Sequence, residues 1–417
     1  MEKIIYKNGI KLLYKSAKNN LTSFTIGFNA GANSEKDEEL GIAHVVEHML
    51  FKGTSSRNEY EINKLCDETF GFCNAMTNYP YAVYYGTTLD EDFEKGFEIY
   101  SDILVNPSFP LDGFSEEIGV IIEELKEWKD DSNQLCEDSM FYNCFKERRL
   151  KDLIIGTEQS IKSITIKQII DFYHKHYTAG NCVVAVVSSM SLESVSEIVE
   201  KHLCNSDKLT NENQTVKKNE EYVYENNKPG TYFQYKSDIQ GAKIQYCFSL
   251  HDLNTREISA LKLFNIVFGE GTSSILYHEI RTKRGLVYDI GSKISNETGI
   301  KLFKISLGTS YENVHDTIKI INDEIEKVKR LRYYFDENCI LKLCKSYKLK
   351  RMLAIEKSIQ ISMNLCVYEI MYGDGFKIFS EFECMKDISD NEIMEVVNKV
   401  LVNPTIQVLM PKLNDNK

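Results

Sequence analysis

The stretch FTIGFNAGANSEKDEELGIAHVVEHMLFKGTSS, from Phe24 to Ser56, has a counterpart in IQYCFSLHDLNTREISALKLFNIVFGEGTSS, from Ile244 to Ser274. Each reads as a strand, an acidic loop, an apolar helix and a Gly-Thr-Ser-Ser ending, at Gly53–Ser56 and Gly271–Ser274. A pattern that recurs in both halves of a chain points to duplication of a domain. The polar segment 206–230, SDKLTNENQTVKKNEEYVYENNKPG, falls between the copies and is nearly free of aliphatic residues. The expected fold class is α+β, with two homologous α/β-sandwich domains, each a mostly antiparallel sheet packed with helices. The first spans 1–207 and carries the chemistry discussed below. A linker at 208–228 joins it to a second domain at 229–417.

Local signals agree with this plan. Asn8-Gly9 separates two apolar-alternating runs in IIYKNGIKLLY, which predicts a tight hairpin. SFTIGFNAG reads as the strand leading into the first helix, and NAMTNYPYAVYYGTTL and NCVVAVVSS read as further strands. A formal net charge of -12 argues against a nucleic-acid partner, which would demand a basic footprint. No apolar run of about eighteen residues is present to span a membrane, and the N-terminus shows no signal-peptide pattern. Eleven scattered cysteines, none in a C-x-x-C pair, fit free thiols in a reducing compartment. A cytoplasmic location is expected.

Within the first copy, HVVEH places His44, Glu47 and His48 in five residues of an apolar stretch. A single helical histidine is more often a hydrogen-bonded core residue than a ligand. Chance alone gives His-x-x-Glu-His roughly once or twice per hundred chains of this composition. At about 100° per residue, His44 and His48 fall one turn apart on one helix face, so both rings can reach one ion. The second copy has no such triplet. His-x-x-Glu-His is the inverse of the commoner zinc helix motif.

A catalytic zinc site needs three protein ligands and an open position. The segment DGFSEEIGVIIEELKEWKDD offers Glu116, Glu117, Glu123, Glu124 and Glu127. On a helical wheel Ile118, Ile121, Leu125 and Trp128 define a core face. Glu117 and Glu124 border that face, and the other three glutamates point outward.

These residues carry a resemblance. GIAHVVEHMLFKGT followed by EEIGVIIEE resembles the pitrilysin/insulinase family of zinc metallopeptidases, in its mitochondrial-processing-peptidase-like bacterial branch. The resemblance implies that His44, His48 and Glu124 hold one zinc ion, that Glu47 is the general base, and that Glu117 supports the site. GFCNAMTNYPYAVYYGT is similar to the family's edge strand that pairs with bound peptide, which assigns Asn74 and Ala75 to the substrate. Pro80 and Ala82 replace the acidic and threonine residues usual there. GTSSILYHEIRTKRGLVYDIGS is similar to the family's substrate-gripping segment, with Arg281 and Tyr288 at the gripping positions. Gly285 suits a helix stop between them.

The family closes two clam-like halves around an unfolded peptide, and a chain of this length is one half. The implied protein is a zinc-dependent endopeptidase acting on unfolded peptides or leader segments inside a dimer chamber. Because one chain carries both the zinc motif and the Arg281/Tyr288 segment, a homodimer is expected, with a heterodimer containing a metal-free homologue as the other arrangement. The rival functions are a non-catalytic zinc-binding or assembly subunit and a zinc hydrolase of small molecules.

Overall fold

The structure, a computed structural model, describes residues 1–205, 209 and 222–412, apart from the side chain of Cys384. Most of the expected linker at 208–228 lies outside the described residues.

Among the described residues eleven strands form two sheets. The first contains β1 (Glu2–Ile5), β2 (Lys11–Ser16), β3 (Leu21–Phe28), β4 (Phe72–Thr77), β5 (Ala82–Leu89) and β6 (Cys182–Ser188), in the order β1-β2-β6-β3-β5-β4. The second contains β7 (Gly230–Lys236), β8 (Ala242–Ser249), β9 (Val287–Ser295), β10 (Leu302–Thr309) and β11 (Thr405–Pro411), in the order β7-β11-β8-β10-β9. If β1 is set aside, the orders match strand for strand. β2–β6 and β7–β11 are parallel, and every other pairing is antiparallel. The fold is therefore α+β and duplicated, as the repeated strand–loop–helix pattern predicts.

Asn8-Gly9 makes the turn between β1 and β2, with Gly9 at φ 95° and its N–H bonded to the Tyr6 carbonyl. The segment around NYPY is a tight connection between β4 and β5, closed by the Asn78 N–H on the Tyr81 carbonyl. β4 ends the sheet and pairs only with β5 among the described residues, so its outer edge is open.

The compact units do not follow chain order. Residues 126–152 belong to the unit built on the second sheet, and 352–379 to the unit built on the first. Side-chain alternation supplies the reason, because both faces of the first sheet are apolar. Phe24, Ile26, Phe28, Tyr84, Val184 and Val186 face the core shared with the sheet's own helices. Leu13, Val83, Tyr85, Val183, Ala185 and Val187 face the other way, onto the helix Ser358–Tyr372 through Ile361, Leu365 and Cys366. That helix lies so close to β3 that a Cβ on Gly27 would stand 2.5 Å from Cys366 Sγ. In the second unit, the helix Ser132–Cys144 lies on β8 and β11, and Asn143 Nδ2 donates to Gln407 Oε1 at 2.8 Å.

Among the described residues no helix is long and apolar enough to cross a membrane, and the cysteines are free thiols.

Candidate metal centre

HVVEH lies on the helix Ile42–Leu50. Ile42, Ala43, Val45, Val46, Met49 and Leu50 are buried in the first core, which fixes the helix and turns His44, Glu47 and His48 to one side. Glu35, from the acidic loop, caps its start: the carboxylate accepts from the N–H groups of Gly41 at 3.1 Å and Ala43 at 3.0 Å. A negative charge at that end also suits the helix dipole. Gly41 sits at φ 94°, and a Cβ there would stand 2.6 Å from the Ile155 carbonyl oxygen.

The second contributor is the helix Phe114–Asp130. Ile121, Ile122 and Leu125 anchor it in the core, with Ile118 partly buried beside them. Glu117 is buried and Glu124 half-buried, whereas Glu116, Glu123 and Glu127 are exposed.

Ligand atoms of His44, His48 and Glu124 lie within 4.8 Å of one another. Glu124 Oε1 is 3.6 Å from His44 Nε2, and its Oε2 is 3.4 Å from His48 Nε2. Ligands about 2.1 Å from a tetrahedral zinc stand about 3.4 Å apart, so these spacings suit a shared ion. His44 Nδ1 is buried with no hydrogen-bond partner among the described residues. Two neutral imidazoles and a carboxylate are a donor set zinc accepts, so the residues present fit the metal.

A second row of contacts orients the first. His48 Nδ1 is 2.7 Å from Glu117 Oε1, which keeps a ring proton on Nδ1 and leaves Nε2 as the nitrogen a metal would claim in place of its proton. Lys52 Nζ binds the other oxygen of Glu117 at 2.7 Å and Glu59 at 2.8 Å. Glu47 Oε2 accepts from the Thr77 hydroxyl at 2.5 Å, which ties the motif helix to β4.

The electrostatics follow from these contacts. Burial pushes His44 down to about 4, and the positive charge of a protonated His48 adds to this. Burial also opposes protonation of His48, but hydrogen bonds to Glu117 and Glu124 outweigh it and raise the ring to about 9. The His48 hydrogen bond draws Glu117 down to about 2, with Lys52 assisting. Burial raises Glu47 above the ordinary carboxylate range even though Thr77 opposes it.

Asn74 and Ala75 lie on β4, where Asn74 Oδ1 accepts from the Ala75 N–H at 2.8 Å. A cleft of about 590 Å³ is lined by Glu47, His48, Lys52, Asn74, Ala75 and Glu117, among others. Arg281 and Tyr288 belong to the other unit. The Arg281 guanidinium stacks between Tyr277, at 4.7 Å, and Tyr288, at 5.4 Å, and Tyr288 is 83% exposed. Arg281 lies in the helical turn Tyr277–Thr282, Gly285 takes φ 65°, and β9 follows.

Thr77, Lys52 and Tyr277 join these contacts without holding an assigned position in any motif of the sequence. Thr77 carries a signal in retrospect, since strand alternation sets it on the same face as Ala75. Lys52 follows the helix, where no periodicity places it. Tyr277 is four residues before Arg281 in a helical run.

Comparison with known proteins bears on this arrangement. Residues 11–158 match the model of the insulinase family (peptidase family M16), and residues 163–337 match the model described as the peptidase M16 inactive domain. A Rickettsia felis protein named as a zinc protease is 25% identical over 406 residues, which cover 97% of this chain and 96% of that protein. A probable mitochondrial-processing peptidase subunit beta from Arabidopsis thaliana is 31% identical over 196 residues, 46% of this chain and 37% of that protein. The crystal structure of a protease from Helicobacter pylori superposes with a TM-score of 0.85 at 20% identity, covering 98% of this chain and 99% of that one, which establishes a common fold.

Proposed function

The chain belongs to the insulinase family of peptidases, and from that premise we propose that it is a zinc-dependent endopeptidase that hydrolyses unfolded peptides or leader segments, with one zinc per chain. The observation that carries the reading is the convergence of His44, His48 and Glu124 within 4.8 Å, with Glu47 on the same helix.

His44 and His48 bind through ring nitrogens and Glu124 through a carboxylate oxygen. Zinc, when bound, supplies a Lewis acid that polarises the scissile carbonyl and makes water a nucleophile near neutral pH. Thr77 steadies Glu47 through Oε2, and the carboxylate takes the proton from the attacking water. Its raised pKa suits it to hold that proton and pass it to the departing amine nitrogen. Glu117 fixes the His48 ring from behind. Asn74 and Ala75 receive the peptide as an added strand on the open edge of β4, reading its backbone more than its side chains. Arg281 and Tyr288 donate hydrogen bonds to substrate carbonyls.

We place the enzyme in the cytoplasm as a homodimer in which each chain's second domain serves its partner's metal centre. A partner lacking the zinc motif would serve as well. The match of residues 163–337 to an inactive-domain model favours one second reading, an assembly subunit that binds zinc without cleaving. Purified protein assayed on a quenched peptide separates the two. Cleavage abolished by a chelator and restored by zinc is expected; zinc-loaded protein that leaves every peptide intact would establish the second reading.

A further inference from the structure

The cleft beside the metal centre carries two thiols that the reaction above does not use. Cys66 lies on the helix Glu59–Thr69, and Cys73 lies on β4, immediately before Asn74 and Ala75. A turn at Phe70–Gly71 brings the two elements back on each other, with Phe70 N–H on the Cys66 carbonyl at 2.9 Å and Gly71 N–H on the Thr87 carbonyl at 3.0 Å. Both cysteines line the cleft and pack on the edge of the same core, and both are only partly buried. Their thiols are close enough to act on each other's charge. Cys144 and Cys247 are also in contact, but both are buried and out of reach of a solute.

We propose that Cys66 and Cys73 are a reversible dithiol–disulfide pair, oxidised by peroxide, whose closure weakens peptide binding on β4. The second half of this statement rests on the peptidase reading. The first half stands on the placement of the thiols alone.

Geometry and charge set the order of events. The interaction with Cys66 outweighs burial and holds the Cys73 thiol down at about 7, while Cys66 is raised. The thiolate is the nucleophile, so Cys73 reacts first. Its sulfur attacks one peroxide oxygen, the O–O bond breaks, and hydroxide leaves behind a sulfenic acid. The Cys66 sulfur then attacks Cys73, the sulfur–oxygen bond breaks, and the S–S bond forms. The two thiols lose two electrons and two protons, and the peroxide becomes two waters. The covalent bond is shorter than the contact it replaces, so helix 59–69 and β4 must draw together. Both are walls of the cleft, and Asn74 and Ala75 follow Cys73 directly.

The test uses the full zinc-loaded chain, hydrogen peroxide as oxidant, maleimide as thiol label and dithiothreitol as reductant. Trypsin cuts after Lys64 and Lys95 and releases residues 65–95 with both cysteines. Peroxide should leave this peptide unlabelled and lighter by two hydrogens, and dithiothreitol should restore both thiols. In C66S the Cys73 sulfenic acid should persist and be trapped by dimedone. The KM for a quenched peptide should rise on oxidation, return on reduction, and no longer respond to peroxide in C66S or C73S. Thiols that stay maleimide-reactive, or a Cys73 that proceeds to sulfinic acid in the intact chain, overturn the pair. A mapped disulfide with unchanged KM overturns the effect on binding. If the reduced protein cleaves no peptide, the peptidase reading fails and the mapping still decides the pair.

Discussion

Nδ1 of His48 stands 2.7 Å from Oε1 of Glu117, and the other oxygen of that carboxylate stands 2.7 Å from Nζ of Lys52. The histidine's proton and its ring plane are thereby set from a group that is not itself a ligand. Removing such a support leaves the ligand in place but free to turn. Glu117→Ala is expected to lower zinc affinity by about 10–100-fold, read by competition with a chromophoric chelator. Lys52→Met should lower it less, because Glu117 keeps its bond to His48. Unchanged affinity in Glu117→Ala would remove the carboxylate from the site's design.

Glu47 is held by Thr77 and its neighbours rather than by the donor set. Glu47→Gln keeps the shape and removes the proton acceptor. Zinc content and KM should stay near those of the parent, while kcat falls by about 10²–10⁴-fold. Elemental analysis and steady-state kinetics on one preparation check both halves.

Zinc bound by the folded site and not by the unfolded chain must stabilise the fold by mass action. A hundredfold excess of free zinc over Kd corresponds to about 2.7 kcal/mol. The melting temperature should therefore fall on chelation and rise again with zinc concentration. His44→Ala should abolish that dependence.

One turn after Glu124 on the helix Phe114–Asp130, the chain's single tryptophan offers a pH readout. Trp128 Nε1 donates to Asp138 Oδ2 at 2.8 Å, and Gln134 Nε2 donates to Oδ1 at 2.9 Å. Burial outweighs both bonds and pushes Asp138 up to about 6. An unfolded aspartate titrates near about 3.9, so the fold favours the protonated form. The stability this group contributes is full below that value and is lost as pH rises through about 6. Tryptophan fluorescence should titrate with that midpoint. Asp138→Asn should abolish the transition and gain stability relative to the parent as pH rises across it.

The helix from the second half that covers the first sheet rests on the absence of a side chain at Gly27. Gly27→Val would drive into Cys366 and Ile370 and should cost about 1–3 kcal/mol by overpacking. Gly119, on the helix Phe114–Asp130, meets nothing within 4 Å. Gly119→Ala should stabilise the protein by about 0.4–1 kcal/mol through the unfolded chain's lost freedom. Chemical denaturation of both variants measures the contrast.

Much of the site was legible because it is periodic. Spacing within one helix puts His44 and His48 on a face whatever the rest of the chain does, and the same rule separates Glu117 and Glu124 from Glu116, Glu123 and Glu127. The hairpin at Asn8-Gly9 and the stop at Gly285 were readable for a like reason, since a turn's chemistry is carried by its own residues.

Local spacing sets the elements, the duplication and the face each candidate ligand presents, because these depend on neighbours a few residues away. Tertiary structure alone decided that Thr77 would hold Glu47, that Lys52 would brace Glu117, and that Cys66 would meet Cys73 across a turn. It also decided that residues 352–379 would cover the first sheet and 126–152 would join the second unit. A sheet that is apolar on both faces must be covered twice, and no local pattern says which distant helix will do it.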